Sequence, residues 1–129
     1  MKTLVFNLPI VPRSKKNSRN IFCNKKTGKW FPGKSKTLRE YENALDLLIM
    51  AQKNTQGLRE PISTPCHIAM RFETKGVMRL DGDNAMQGVW DAMQKCGVVV
   101  NDKLFKTWSG EIVENTGLPD TINVRISYE

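Results

Sequence analysis

Residues 66–102 read CHIAMRFETKGVMRLDGDNAMQGVWDAMQKCGVVVND, and this stretch decides the fold. Alternation over 66–74 places Ile68, Met70 and Phe72 on one face, with polar or small residues between them. Because side chains in a strand point alternately to its two faces, this pattern predicts a strand in the core. A Lys-Gly pair directly after it breaks the strand.

A helix is predicted next, from about Asp83 to Lys95. Its apolar residues recur at steps of three and four: Ala85, Met86, Val89, Trp90, Met93 and Cys96. Asp83 or the Asn after it can cap the amino end, and Gly97 ends the helix. The β-branched run at 98–100 predicts a short strand that returns alongside the first one and leads to Asp102.

The rest of the chain adds one more helix and several strands. They are a strand at 3–8, a short hairpin within 19–31, a helix at about 36–54 capped by Ser35, and strands at 104–114 and 120–128. Residues 58–65 contain two prolines and are predicted to be a linker. This order predicts an α+β fold, a mixed β-sheet with two main helices packed on it, in a single domain covering residues 1–129.

Positive charge is concentrated at the start of the chain. Of twenty Lys and Arg, eleven lie in residues 1–39, which contain no Asp or Glu, so the remainder carries nine basic and thirteen acidic side chains. Such asymmetry favours a basic surface for DNA phosphates, although a solvated tail is an alternative. The candidate DNA-binding residues are Lys15, Lys16, Arg19, Lys25, Lys26, Lys34, Lys36, Arg39 and Lys75. Among them lie Phe22, Trp30 and Phe31, which either stack on open bases or pack within the hairpin.

No apolar stretch is long enough to span a membrane, and the apolar run at 4–8 is too short for a signal peptide. The three cysteines are far apart and form no C-x-x-C pair, which favours reduced thiols. We therefore expect a cytoplasmic protein with no membrane partner.

Acidic residues flank the predicted second helix. Asp81 and Asp83 are separated by Gly82, so an extended backbone would place both carboxylates on one side. The short strand at 98–100 would bring Asp102 back near Asp81. Carboxylates are the ligands that Mg²⁺ prefers, and two such ions can assist phosphodiester hydrolysis, so these acids are a candidate magnesium site. The alternative is a surface turn with a helix cap, for which Asp, Gly and Asn are also favoured.

The spacing of these acids is typical of a known family. The pattern Asp81-x-Asp83-Asn84, Asp91 within the helix and Asn101-Asp102 beyond it resembles the RusA-type Holliday-junction resolvases. The first half is also similar, with Leu-Pro-x-x-Pro at 8–12, a basic loop, and Ser-Lys-x-x-Arg-x-Tyr at 35–41. The resemblance covers nearly the whole chain.

This resemblance implies a homodimeric, Mg²⁺-dependent endonuclease that cuts four-way DNA junctions with paired nicks, with Mn²⁺ as a further possible cofactor. It implies that Asp81, Asp83 and Asp102 are the catalytic, metal-binding acids and that Asp91 is a fourth candidate for the metal shell. Many members have a Lys where this chain has Gln87. Either a neighbouring cation such as Lys75, Lys103 or Lys106 substitutes for it, or turnover is slower than in typical relatives.

Two other functions fit the same residues. One is a metal-dependent nuclease of flaps or other branched DNA, and the other is a basic nucleic-acid-binding protein without catalysis. Replacing Asp81 by Asn distinguishes the classes, because only an enzyme would lose cleavage while keeping DNA binding.

Overall fold

A computed structural model describes residues 1–13, 19–23 and 25–129, so the candidates Lys15 and Lys16 lie outside the described residues. The strands are β1 (Lys2–Leu8), β2 (Arg19–Cys23), β3 (Trp30–Lys34), β4 (Cys66–Glu73), β5 (Phe105–Val113) and β6 (Thr121–Tyr128), and the helices are α1 (Lys36–Thr55) and α2 (Gly82–Lys95). The predicted α+β fold, a mixed sheet with two main helices in one small domain, is confirmed. No helix in the described part of the chain combines the length and apolar character that a membrane span requires.

Four strands form the main sheet in the order β1-β6-β4-β5. β6 pairs antiparallel with both β1 and β4, whereas β4 and β5 are parallel. The parallel pair follows from its connection, because α2 carries the chain back along the sheet before β5 begins. β2 and β3 form a separate antiparallel hairpin in which Arg19 lies opposite Lys34.

The core lies between one face of this sheet and the two helices. Its most completely buried side chains are Phe6, Leu8, Ile68, Phe72, Ile122 and Ile126 from the sheet, Leu38, Leu45 and Ile49 from α1, and Val89 and Met93 from α2. Burying each such side chain stabilises the fold by about 1.5–3 kcal/mol. The predicted inward face of β4 is therefore confirmed.

The carboxyl end of α2 is tied to α1. Lys95 Nζ lies 2.7 Å from Asp46 Oδ2, and Lys53 Nζ donates a hydrogen bond of 3.1 Å to the carbonyl of Cys96. Burial, together with the neighbouring Asp46 carboxylate, raises the pKa of the Cys96 thiol to about 11. These contacts fix the position of the segment that leads to Asp102.

Two details differ from the sequence prediction. α2 begins at Gly82 and is capped by Asp81, not by Asp83 or Asn84. The run Val98–Val100 does not form a strand of the sheet; Val99 instead makes a single bridge with Ile62. Ile62 belongs to the predicted linker and is buried. The backbone groups of Val98 and Val100 form hydrogen bonds with Ile62, so this run does not turn back toward the start of α2.

Candidate active site

Asp81 and Asp83 lie at the amino end of α2. Asp81 has extended backbone angles, and its Oδ1 accepts a hydrogen bond of 3.3 Å from the backbone N–H of Asn84. One oxygen of Asp81 therefore satisfies a helix donor that has no partner within the helix. Asp83 is exposed in the first turn. A helix cap is therefore present at this end of α2, at Asp81 and not at Asp83 or Asn84, and it engages Asp81 Oδ1.

The loop before this helix end is held against the sheet. The backbone N–H of Lys75 donates to Asp120 Oδ1 at 2.9 Å, and Thr74 and Gly76 bond to Thr116 and Asn115 through their backbones. Gly82 packs so closely on β5 that an added Cβ would lie 3.3 Å from Ile112 Cδ1. The amino end of α2 is thus fixed beside the carboxyl ends of β4 and β5.

Asp91 lies two turns further along the same side of α2. Residues four apart on a helix are neighbours on its surface, so Asp83, Gln87 and Asp91 form one row. Gln87 Nε2 donates a hydrogen bond of 2.9 Å to Asp91 Oδ1. Gln87 therefore holds the Asp91 carboxylate in place, although its amide carries no positive charge.

Asp102 lies at the opposite end of α2. Its backbone N–H donates to Gln94 Oε1 at 2.9 Å, and it begins a single 3₁₀ turn, Asp102–Leu104, that leads into β5. Asp83 and Gln94 are eleven residues apart, which corresponds to about 16 Å along a helix. The expectation that Asp102 returns beside Asp81 is therefore wrong within a single chain.

The packing of α2 on β5 explains this separation. The helix runs antiparallel to the strand, with Trp90 beside Phe105 and Trp108, at ring distances of 5.9 and 5.4 Å, and Gly82 beside Ile112. Met86 lies directly over Gly110, where an added Cβ would overlap its sulfur. Since β5 begins where α2 ends, the residue before β5 lies far from the amino end of α2.

One chain thus presents Asp81 and Asp83 at the amino end of α2, Asp91 toward its carboxyl end, and Asp102 beyond that end. Among the described residues, no three Asp, Glu, His or Cys side chains are grouped closely enough to hold a metal ion. The acids of a single chain therefore do not form the three-carboxylate magnesium site that the sequence predicts.

The basic candidates divide between the hairpin and the start of α1. Lys25 and Lys26 are exposed in the turn between β2 and β3, and Arg19 and Lys34 are paired residues at the other end of the hairpin. Lys36 and Arg39 are exposed in the first turns of α1, which follows β3 directly. These six positions are continuous along the chain, from the hairpin into the helix.

The remaining basic candidate, Lys75, is exposed in the loop between β4 and α2. The side chains of Phe22, Trp30 and Phe31 lie outside the described part of the hairpin, so the choice between base stacking and hairpin packing stays open.

The sequence prediction missed two features of this region. One is Gln94, whose side chain positions Asp102. The other is an exposed apolar surface beside α2, where Trp108 is 54% and Ile112 37% exposed although both face the helix side of the sheet. The signal in the sequence is Trp108-Ser109-Gly110-Glu111-Ile112, which alternates like a buried strand, but nothing in that pattern reveals that β5 is an edge strand.

Comparison with known proteins identifies a matching family model. The family model described as Endodeoxyribonuclease RusA matches residues 9–127, which is nearly the whole chain and includes all four acids. Nucleases of that family generally use a divalent metal ion. No curated protein matches the chain in sequence.

Proposed function

Because this chain belongs to the RusA endodeoxyribonuclease family, we propose that it resolves four-way DNA junctions by paired nicks in opposing strands and requires Mg²⁺. The family as a whole implies an endonuclease that resolves Holliday junctions. The observation that carries the proposal is the match over residues 9–127, because it contains both the acidic row of α2 and the basic hairpin.

The proposed catalytic residues are Asp81, Asp83 and Asp102, with Asp91 as a further metal-binding acid. Asp83 is exposed and Asp91 and Asp102 are half-buried, so their carboxylates are accessible to an ion and to a phosphate. Oxygen ligands of this kind suit Mg²⁺, and Mn²⁺ shares the preference. Because the acids of one chain do not converge, we assign no hydrolytic step to an ion within a single chain.

The basic residues of the hairpin and of α1 are proposed to bind the DNA backbone. Lys and Arg side chains supply most of the sequence-independent affinity of proteins for DNA through phosphate contacts. Lys25 and Lys26 support this role because both are exposed at the hairpin turn, where a large ligand can reach them. Lys75, which is exposed in the loop before α2, is proposed to contact DNA near the amino end of that helix.

A homodimer is the proposed working unit. A four-way junction has two-fold symmetry, and a two-fold dimer would present one cleavage site to each of the two strands that are cut. DNA as the substrate also agrees with the expected cytoplasmic location.

The test is cleavage of end-labelled synthetic DNA by the purified protein in Mg²⁺ and in EDTA. The substrates are a four-way junction, a flap and a linear duplex of the same sequence. The proposal predicts symmetric nicks in the junction with Mg²⁺ alone. Equal cutting of all three substrates would favour a general branched-DNA nuclease or a nonspecific nuclease, and binding without cleavage would identify a non-catalytic protein; either result would refute the proposal.

A further inference from the structure

The main sheet has two edge strands, β1 and β5, and they differ in charge. β1 reads Lys-Thr-Leu-Val-Phe-Asn-Leu over residues 2–8, with one charged residue and no proline or glycine. Short segments of high β propensity and low charge pair readily with one another when their backbone is open at an edge. β5 contains Lys106 and Glu111, whose charges oppose such pairing. β1 is therefore the edge that is more prone to pair with a second copy of the chain.

The helix α1 reaches this edge with two glutamines. The buried residues of α1 recur at steps of three and four and are Leu38, Tyr41, Leu45 and Ile49. Gln52 and Gln56 continue the same steps, so they project from the same side of the helix. This stripe thus changes from apolar residues to amides where α1 reaches β1.

The amide of Gln52 pairs with Asn7 as a residue of a neighbouring strand would. Its Oε1 accepts a hydrogen bond of 2.8 Å from the N–H of Asn7, and its Nε2 donates one of 2.6 Å to the carbonyl of Asn7. Directly opposed residues of antiparallel strands exchange the same two bonds. A further strand cannot pair with Asn7 while this amide is in place.

Gln56 covers the next donor of the same edge. Its Oε1 accepts a hydrogen bond of 2.8 Å from the N–H of Val5, and its Nε2 donates one of 3.1 Å to the carbonyl of Gln52. Because N–H groups alternate between the two sides of a strand, Val5 and Asn7 are successive donors on the open side of β1. The two glutamines therefore occupy the carboxyl-terminal half of this edge.

The backbone of β1 does not need these bonds in order to be hydrogen-bonded. All three lie at exposed positions, where water can take the place of the amides. A hydrogen bond that replaces one to water contributes little to stability, and fixing a long Gln side chain costs conformational entropy. Water cannot exclude an incoming strand, whereas the two amides do.

We propose that Gln52 and Gln56 block the β1 edge against strand addition, and that without them β1 pairs antiparallel with β1 of a second copy. A unit with one such edge would stop at a pair. A two-fold dimer has two such edges and would continue into chains of dimers. The inference does not depend on the proposed nuclease activity, and cleavage of DNA is not its readout.

Sedimentation velocity of the variant Q52A/Q56A tests the proposal. Ala removes all three bonds and is a better helix former than Gln, so α1 should persist and Tm should fall by less than about 5 °C. Circular dichroism checks that the variant is folded. It should form species of at least about twice the wild-type mass at the same concentration, because the smallest product is a pair of units. Their fraction should grow as the concentration rises.

The matched control is N43A/N54A, which replaces two exposed amides of α1 outside the stripe. This control should sediment as wild type does. Adding V5E to Q52A/Q56A locates the contact, because pairing of two β1 strands would then bring like charges together. Val5 lies opposite Arg125 of β6, so a Glu there faces an opposite charge within its own chain. The triple variant should again sediment as wild type does.

Three results would overturn the inference. They are wild-type sedimentation of Q52A/Q56A at every concentration, equal association of N43A/N54A, and association that V5E does not reverse. If the double variant does not fold, Q52A alone removes the pairing with Asn7 and leaves Gln56 in place. Q52A should form the same larger species at higher concentration, and sedimentation like that of wild type throughout would overturn the inference equally.

Discussion

Asp81 is both a helix cap and a proposed catalytic residue, and three substitutions separate the two roles. Its Oδ1 accepts one hydrogen bond of 3.3 Å at the start of α2. Replacing an Asp cap by Ala removes that acceptor and costs about 1 kcal/mol, which for a chain of this size lowers Tm by roughly 3–5 °C. Replacing it by Asn keeps the acceptor, so D81N should unfold within about 1 °C of wild type.

Activity should follow a different order from stability. D81A and D81N should both lose cleavage of a four-way junction by at least about a hundredfold, because each removes a carboxylate at the proposed metal site. D81N should bind the junction as tightly as wild type or more tightly, since one charge that repels phosphate is gone. Thermal unfolding, gel-shift binding and cleavage of labelled junctions measure the three quantities.

The serine cap of α1 supplies the control. Ser35 Oγ accepts a hydrogen bond of 3.1 Å from the N–H of Leu38, so S35A should lose similar stability and keep its cleavage rate below its Tm. Wild-type cleavage by D81N would refute the reasoning, because Asp81 would then be only a cap.

Three further predictions concern other parts of the molecule. Replacing Gln87 by Lys adds a cation beside Asp91 that can contact phosphate; a gain of about 1 kcal/mol in the transition state would speed single-turnover junction cleavage about fivefold. Replacing Lys25 and Lys26 together by Gln should weaken junction binding and reduce the slope of log affinity against log salt by about 1.5–2 in a titration, and an unchanged slope would exclude contacts from the hairpin turn. Burial raises the pKa of Tyr41 to about 12, so the unfolded chain releases this proton first, near pH 10; the free energy of unfolding should fall from pH 10 to 12 by about 2–3 kcal/mol more in wild type than in Y41F. Equal losses in denaturant melts of the two proteins would contradict that assignment.

Local pattern predicted most of the secondary structure. The alternation around Ile68 and Phe72 specifies one apolar face of β4, and the three- and four-residue steps specify one apolar face of α2. Packing these two faces together in the core positions both elements. Ser35 was predicted as the cap of α1 because a hydroxyl before an amphipathic run can satisfy the first helix donors, and it does so.

The relative positions of the acids were not predictable in the same way. Val98–Val100 has the composition of a sheet strand. Ile62, in the proline-containing linker at 58–65, nevertheless pairs with Val99, and this bridge keeps the run out of the main sheet. The place of Asp102 depends on that tertiary contact and on Gln94, neither of which leaves a periodic signal in the sequence. Spacing along the chain selects the candidate acids, whereas only the packing of α2 on β5 reveals that they lie toward its two ends.

The exposed apolar residues of β5 illustrate the same limit. Trp108 and Ile112 alternate as core residues do, and in a central strand they would be covered. Their exposure arises from the order of strands in the sheet, which places β5 at the edge. Strand order is a property of the whole fold and could not be derived from this segment alone.

Resolution of a cruciform extruded from a supercoiled plasmid tests the central claim most directly. Two nicks made across the junction within one encounter convert the plasmid to a linear form, whereas a single nick releases supercoiling, removes the cruciform and leaves an open circle. We predict linear plasmid with Mg²⁺, none with EDTA, and none with D83N. Plasmid that stays supercoiled in Mg²⁺, or that becomes only open circles, would contradict a junction-resolving endonuclease with paired cleavage sites.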